Sequence, residues 1–264
     1  MLDQARTRLR PVRKFLGHHK RRFEERYKKL QKKVYRKLSY PLRKMPGGPD
    51  AGISYLTGHK PYTADLVIMA YVQGMFQLGT ESGRIIWDNP DPRAVIFTDN
   101  IHVSRRLKDY IRKEHVEIRY NTAFEAVMQG CANRETTWIA PEIVRVWTEL
   151  HHRGLAHSVE AWQDGQLVGG GYGLALGSFF ALESMFYTVD QASKVAFVHL
   201  AENLRDAGFT LIDIQYQSTL WQRFGAVEIP RAEYSQHLAR AIVQPIKFDP
   251  QTSTIPVVEL SMEA

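Results

Sequence analysis

The segment from His157 to Arg231 constrains the fold most strongly, because its pattern predicts strands, a helix and a further strand in succession. Asp164-Gly165 lies between two β-rich runs and is a hairpin signal. Residues 191–207 carry apolar side chains at helical spacing, and Gly208 follows at the position where helices commonly end. Residues 209–215 form a mostly apolar strand. This order predicts a mixed α/β (α+β) fold.

Glu183 is a charged residue inside one of the predicted strands. The two-residue period of a strand puts Glu183 on the face of Ala181 and Met185. Leu182 and Phe186 then fall on the opposite face. A carboxylate in this setting either belongs to a site or forms a salt bridge with an arginine.

Asp213 and Gln215 lie near the end of the last strand, and the same period places both on one face. A carboxylate and an amide side by side at the carboxyl end of a strand are more typical of a site than of a core. Spacing alone leaves another interpretation open, in which the two side chains cap a helix or bond to a loop.

Composition excludes several classes of protein. No apolar run approaches the roughly 18 residues that span a bilayer, and no signal peptide is expected, so we predict a soluble, cytoplasmic protein. The single cysteine, Cys131, excludes an intrachain disulfide and a zinc site built on several cysteines. Its helix-like surroundings favour a buried thiol over a nucleophile.

The charge is divided unevenly along the chain. Residues 1–44 hold 17 Lys or Arg against 3 acidic residues, whereas the remaining residues hold 18 basic and 25 acidic ones. Apolar residues recur at spacings of three and four between Leu9 and Leu38, which predicts a basic amphipathic helical tail. This tail is either a solvated arm, a contact for RNA phosphates, or an attachment to an anionic membrane surface.

The rest of the chain divides by composition and pattern. Residues 45–62 are rich in Gly and Pro and predict a linker. We expect a small N-terminal subdomain over residues 63–150, a second domain over 151–245 and a C-terminal tail over 246–264.

Short motifs follow one another in a characteristic order over roughly residues 65–240. They are Trp87 with Pro90-Asp-Pro-Arg93, His102-Val-Ser-Arg105, Asn121-Thr-Ala-Phe124, Thr137-Trp-Ile139, His157-Ser-Val-Glu160, Gly169-Gly170, Glu183-Ser-Met-Phe186, Ala192-Ser-Lys194, Asp213 with Gln215, and Gly225-Ala-Val-Glu-Ile-Pro-Arg231. Each is weak alone, but their order and spacing resemble the leucyl/phenylalanyl-tRNA–protein transferase family.

The resemblance implies an acetyltransferase-like (GNAT-type) catalytic domain. It also implies transfer of Leu or Phe from an aminoacyl-tRNA to a protein with N-terminal Arg or Lys, which marks that protein for degradation. The reaction converts an ester into an amide, and an α-amine with a pKa of ~7.7–8.0 is partly neutral near pH 7. We therefore expect no cofactor and no metal. We also expect the enzyme to be a monomer.

The same resemblance implies roles for individual residues. Asp213 and Gln215 match the reaction centre, with Gln215 holding the amine or carbonyl and Asp213 orienting Gln215 and taking the proton directly or through a relay. Glu183 is expected to bind the terminal adenosine or the positive end of the acceptor, and Trp138 to stack on the terminal adenine. The other expected substrate-binding residues are Met185, Gly171, Leu78, Leu200, Leu204 and Ile212. Arg93, Arg105 and Arg106 are candidates for phosphate contacts.

Several positions depart from the family pattern. Leu78 stands where an aromatic residue is usual, and Leu182 replaces a glycine. Gly171 replaces a bulky apolar residue and is expected to enlarge the aminoacyl pocket. Residues 218–221 replace a Thr-Pro-His-Leu-like segment, so the choice of amino acid stays open.

Two other functions are weighed against this one. Gln166–Gly171 formally fits the pyrophosphate loop of coenzyme A-dependent N-acyltransferases, but such a loop must open a helix. Here the glycines lead into a predicted strand, so we interpret the match as accidental. The other alternative is a non-catalytic relative that binds tRNA or a membrane.

Overall fold

The computed structural model describes residues 62–79, 85–113, 116–135 and 137–250, all within one compact unit, Gly52–Ala264. The predicted basic tail 1–44, the linker apart from residue 62, and residues 251–264 lie outside the described residues. Within the described ranges, no helix combines the length and the apolar character needed to cross a membrane.

The described residues form seven α-helices and nine strands. The helices are α1 (Ala64–Val72), α2 (Arg105–Lys113), α3 (Phe124–Ala132), α4 (Pro141–His152), α5 (Ala192–Asp206), α6 (Thr219–Arg223) and α7 (Arg231–Ala241). The strands are β1 (Phe76–Gly79), β2 (Ile85–Asp88), β3 (Arg93–Phe97), β4 (Glu117–Tyr120), β5 (Ala156–Gln163), β6 (Gln166–Leu176), β7 (Phe179–Tyr187), β8 (Leu211–Gln215) and β9 (Val227–Ile229).

Seven of these strands form one mixed sheet in the order β4-β5-β6-β7-β8-β3-β9, while β1 and β2 form a separate hairpin. Neighbours in the sheet are antiparallel except β7 and β8, which are parallel and are joined by α5. The predicted mixed α/β class is confirmed. The sheet draws strands from both sides of residue 150, since β3 and β4 precede it in the chain, and the proposed division there stays a prediction.

Local turn chemistry explains the central elements. Asp164 and Gly165 have positive φ values of 51° and 74°, which is the backbone of a tight turn between β5 and β6. Helix α5 ends before Gly208, whose φ of 85° suits glycine best. The predicted hairpin and helix are both confirmed.

Both faces of the sheet are covered by helices. The first face packs with α1, α3, α4 and α7 around large buried aromatic residues such as Tyr71, Trp147 and Tyr172. The second face packs with α2, α5 and α6, and its core includes Phe197 and Ile212. Candidate site residues are distributed over these two faces.

Glu160 anchors one helix to the sheet. Its buried carboxylate accepts hydrogen bonds from the N–H groups of Thr122 and Ala123, at 2.9 and 2.8 Å, and from the Ser158 hydroxyl at 2.8 Å. These N–H groups lie just before α3, where a negative charge is favourable to a helix. The contacts give Glu160 a structural role in holding α3 on β5.

Candidate active site

A buried ion pair lies at the centre of the candidate site. Arg93 on β3 donates from Nε to Oδ1 of Asp213 at 2.9 Å and from Nη2 to Oδ2 at 2.6 Å, and neither side chain is exposed. Tyr234 on α7 donates its hydroxyl proton to Oδ2 at 2.8 Å. Burial alone would lower the pKa of Arg93, but the charge of Asp213 raises it above its ordinary value. The two residues form a charged pair.

The environment of Arg93 corrects one prediction. Its Nη1 donates to the carbonyl oxygen of Gly74 at 3.0 Å, and its guanidinium lies 4.6 Å from the ring centres of Phe76 and Tyr234. The prediction that Arg93 contacts a phosphate is therefore wrong, because its guanidinium is buried and hydrogen-bonded to Asp213. Spacing along the sequence could not show this pairing, since the partners are 120 residues apart.

Gln215 lies where β8 leaves the sheet in a strained turn. Pairing with β3 shifts register next to it, as in a β-bulge, and its φ is 62°. The N–H of Tyr216 donates to the carbonyl of Ile214 at 2.7 Å, which closes a three-residue γ-turn centred on Gln215. Such a conformation costs about 1–3 kcal/mol for a residue other than glycine and is concentrated at functional sites.

Asp213 fixes this turn through the backbone. Its Oδ1 accepts the N–H of Gln215 at 3.0 Å while it also accepts from Arg93. Both carboxylate oxygens are therefore occupied by protein donors. The geometry supports the orienting part of the role that the family resemblance implies for Asp213.

Glu183 faces Gln215 where β7 and β8 part. The paired positions of these two strands end at Ala181 and Asp213, although β7 continues to Tyr187. Across this gap, Nε2 of Gln215 lies 3.5 Å from Oε1 of Glu183, at the limit of a hydrogen bond. The structure thus brings together the three polar residues that the sequence singled out.

The electrostatics of Glu183 are unusual. The pKa of Glu183 is raised from the ordinary 4.5 to about 8: burial raises it most and the charge of Asp213 adds to this, while the Tyr71 hydroxyl and the charge of Arg93 act in the opposite direction. At this pKa, Glu183 is largely protonated at neutral pH. A cation placed beside it would favour its ionised form.

Two buried hydroxyls near Glu183 are incompletely hydrogen-bonded, although that of Tyr71 interacts with the Glu183 carboxyl. The hydroxyls of Tyr71 and Tyr172 make no hydrogen bond of regular geometry with other described residues. Burial, followed by the charge of Glu183, raises the pKa of both phenols. Because buried polar groups are normally paired, these hydroxyls favour a site that a polar ligand or water completes. Sequence reasoning missed both residues, which are indistinguishable from core aromatics in the sequence.

A bulge at Glu183 changes which face the following residues occupy. Leu182 pairs with Gly173 and Ser184 with Tyr172, so Glu183 is an extra residue in β7. Met185 consequently packs with Leu182 in the core of the second face. Phe186 packs against the core of the first face, with Ala181. The predicted alternation was wrong beyond Glu183, because one extra residue reverses the faces that follow.

The predicted aminoacyl pocket residues lie on the second face, opposite Asp213. Leu200, Leu204 and Ile212 are fully buried there. Gly171 pairs with Met185, and a Cβ added to Gly171 would lie 2.8 Å from Cγ of Met185. Met185 therefore fills the space next to Gly171 that a larger side chain would occupy. The pocket enlargement expected at Gly171 is thus at least partly filled by Met185.

Leu78 and Trp138 are brought close together. Both are half-buried against the core of the first face, and a Cβ added to Gly79 would lie only 2.1 Å from the carbonyl oxygen of Trp138. The hairpin β1–β2 therefore packs directly on the backbone that carries Trp138. Stacking of Trp138 on adenine stays a prediction.

Gln166–Gly171 lies entirely within β6. Its glycines do not open a helix, so the segment lacks the N-terminal amides that a pyrophosphate loop presents. The prediction that these glycines lead into a strand is confirmed.

The site holds an amide and a carboxyl at a gap between two strands of a mixed sheet, and such groups can orient a carbonyl and an amine for acyl transfer. Residues 95–239 match the family described as leucyl/phenylalanyl-tRNA protein transferase. The chain belongs to this family and is an aminoacyltransferase.

Similar proteins support this assignment. The leucyl/phenylalanyl-tRNA–protein transferase of Gloeobacter violaceus is 51% identical over 187 residues, which are 70% of this chain and 97% of the relative. That of Salinibacter ruber is 48% identical over 181 residues, 68% of this chain and 80% of the relative.

Solved structures show more distant similarity. A GCN5-related N-acetyltransferase from Kribbella flavida is 12% identical with a TM-score of 0.37, over 62% of this chain and 60% of that one. A conserved protein of unknown function from Staphylococcus epidermidis is 15% identical with a TM-score of 0.38, over 53% and 57%. The family assignment rests on the sequence relatives and not on these two.

Proposed function

We propose that this enzyme transfers Leu or Phe from a charged tRNA to the N-terminal Arg or Lys of a protein. The acceptor's neutral α-amine attacks the ester carbonyl, the bond to the ribose oxygen breaks, and an amide forms. The proton lost by the amine ends on the departing ribose hydroxyl, so no nucleotide hydrolysis is required. The observation that carries this proposal is the placement of Gln215 beside Glu183 by the Arg93–Asp213 pair.

Gln215 is the group that we assign to the reacting atoms. Its side-chain amide can accept from an amine and donate to a carbonyl oxygen, and its γ-turn directs it toward the gap between β7 and β8. Asp213 acts through Gln215, because its oxygens are already bonded to Arg93, to Tyr234 and to the N–H of Gln215. We therefore assign Asp213 as a positioning residue.

Glu183 supports the preference for a cationic acceptor. A guanidinium or ammonium group next to Glu183 would lower the raised pKa of that carboxyl and gain an ion pair in a partly buried site. The hydroxyl oxygens of Tyr71 and Tyr172 can accept further hydrogen bonds from the same group. Acceptors with an acidic or apolar first residue lack these interactions.

The donor side is assigned to the other predicted residues. Trp138 stacks on the terminal adenine, and the apolar residues Leu200, Leu204, Ile212 and Met185 receive the aminoacyl side chain. Arg105 and Arg106 are exposed at the start of α2 and are our candidates for tRNA phosphate contacts. The partner of residues 1–44, whether tRNA or an anionic membrane, the monomeric state and the cytoplasmic location stay predictions.

Label transfer tests the proposal directly. Proteins that begin with Arg or Lys should accept label from Leu-tRNA or Phe-tRNA, and matched proteins that begin with Asp should not. Several other charged tRNAs, run in parallel, determine the preferred amino acid. Absence of transfer to every acceptor, with charged tRNA still bound, would support a non-catalytic relative instead.

A further inference from the structure

Tyr216 follows the γ-turn, and its side chain contacts the β1–β2 hairpin. Its hydroxyl donates to Oδ2 of Asp88 at the end of β2, and its ring meets that of Phe76 edge to face, with centres 5.6 Å apart at 82°. The side chain is held this way although 48% of Tyr216 is exposed. The hydrogen bond and the ring contact together hold the exposed Tyr216 side chain in a defined position.

Together with the Arg93–Asp213 pair, these contacts form a continuous chain of interactions around Gln215. Asp213 binds the N–H of Gln215 and also binds Arg93. The Arg93 guanidinium lies over Phe76, and Phe76 contacts Tyr216, the next residue after Gln215. The strained turn is therefore held at its N–H by Asp213 and at its following residue by the β1–β2 hairpin. Loss of either attachment would let the turn relax toward an ordinary backbone conformation.

The hydroxyl contact is durable over the pH range in which a tRNA ester survives. Burial, followed by the hydrogen bond to Asp88, raises the pKa of Tyr216 to about 12. The phenol consequently stays protonated and continues to donate its hydrogen bond to Asp88.

We propose that Tyr216 and Asp88 form a positioning pair that holds the side-chain amide of Gln215 in its reactive orientation. The inference rests on the proposed role of Gln215 and adds residues of the hairpin to the reaction-centre machinery. Because Leu78 lies on the same hairpin, the pair also connects the predicted adenosine side of the site to Gln215.

The first test compares single and double variants at saturating charged tRNA. Tyr216→Ala should lower turnover by about tenfold or more, because small misplacements of a reacting group are costly, while the KM for charged tRNA changes less than about twofold. Tyr216→Phe and Asp88→Ala each remove the same hydrogen bond. Their combination should therefore be no slower than the slower single variant. If the rate losses of Tyr216→Phe and Asp88→Ala multiplied in the double variant, the proposed pairing would be overturned.

The second test asks whether Tyr216 acts through Gln215. In a Gln215→Ala background, measured under single-turnover conditions, Tyr216→Ala should change the rate less than about twofold. An equal loss in both backgrounds would overturn the inference and make Tyr216 an independent contact for a substrate. Wild-type turnover for Tyr216→Ala would overturn it as well. Wild-type turnover for Gln215→Ala would instead refute the proposed function, so the two failures are distinguishable.

Discussion

The Arg93–Asp213 pair gives the most quantitative prediction. Asp213→Ala leaves the Arg93 guanidinium fully buried with no partner carboxylate, and removal of one member of a buried pair costs about 3–5 kcal/mol. In a domain of this size, each kcal/mol shifts Tm by roughly 2–4 °C, so the expected decrease is about 6–20 °C. The variant should also lose transfer activity, because the N–H of Gln215 loses its acceptor.

A double variant separates stability from activity. Replacing both charges together, as in Arg93→Met with Asp213→Leu, removes the unpaired charge, and such replacements are often neutral or stabilising. We expect its Tm to recover most of the loss seen in Asp213→Ala, while transfer stays low. Calorimetry and label transfer on the same preparations provide both readouts. A Tm for Asp213→Ala within about 2 °C of wild type would refute the reasoning, since it would mean that the pair is not energetically coupled.

Three other predictions concern single positions. The pKa of Glu183 is raised to about 8 in the folded protein, so the stability that its protonated form contributes is fully present below pH 4.5 and is lost as pH rises toward 8. Glutamine cannot ionise, so the Tm of Glu183→Gln should fall less than that of wild type between pH 4.5 and 8. An equal fall would show that Glu183 does not titrate as described. Trp138→Ala should weaken binding of an aminoacyl-adenosine analogue, measured by calorimetry, by ~1–3 kcal/mol, and Leu78→Trp should bind the analogue no worse than wild type. Wild-type affinity of Trp138→Ala would mean that Trp138 is only a core aromatic residue. Gly171→Ala should lower Tm and alter the Leu/Phe preference, because its Cβ would lie 2.8 Å from Cγ of Met185 and 2.9 Å from the backbone oxygen of Ser184. Combined with Met185→Ala it should lower Tm by less than the sum of the two single losses, since only the side-chain clash is relieved; an unchanged Tm for Gly171→Ala would place Gly171 outside the packed pocket.

Local sequence signals were sufficient for much of the fold. Asp164-Gly165 predicted its hairpin because few residue pairs adopt two consecutive positive φ values. Helix α5 and its end at Gly208 followed from periodicity and from the same backbone preference. The strand period predicted Asp213 and Gln215 as neighbours at the end of β8, and the structure joins them through the N–H of Gln215, which donates to Oδ1 of Asp213. Each of these depends on interactions between residues that are close in the sequence.

What the sequence could not show depends on distant residues. Arg93 was expected to contact phosphate, because nothing in its local sequence indicates a partner 120 residues away. The bulge at Glu183 reverses the faces of Met185 and Phe186, and a bulge is determined by the pairing of two strands rather than by the alternation in one. The γ-turn at Gln215 is similar, since Asp213 and the β1–β2 hairpin together hold a conformation that glutamine does not favour by itself.

The most direct test of the account is the single-turnover rate of Gln215→Ala with saturating charged tRNA and a protein that begins with Arg. Gln222→Ala is the matched control, because Gln222 is an exposed glutamine on α6. We expect the rate of Gln215→Ala to fall by about 100-fold or more, as when one preorganised hydrogen-bonding group is removed from a reaction centre, while tRNA affinity and the Gln222→Ala rate stay near wild type. A Gln215→Ala rate within twofold of the control would contradict the central claim that this amide acts on the reacting atoms.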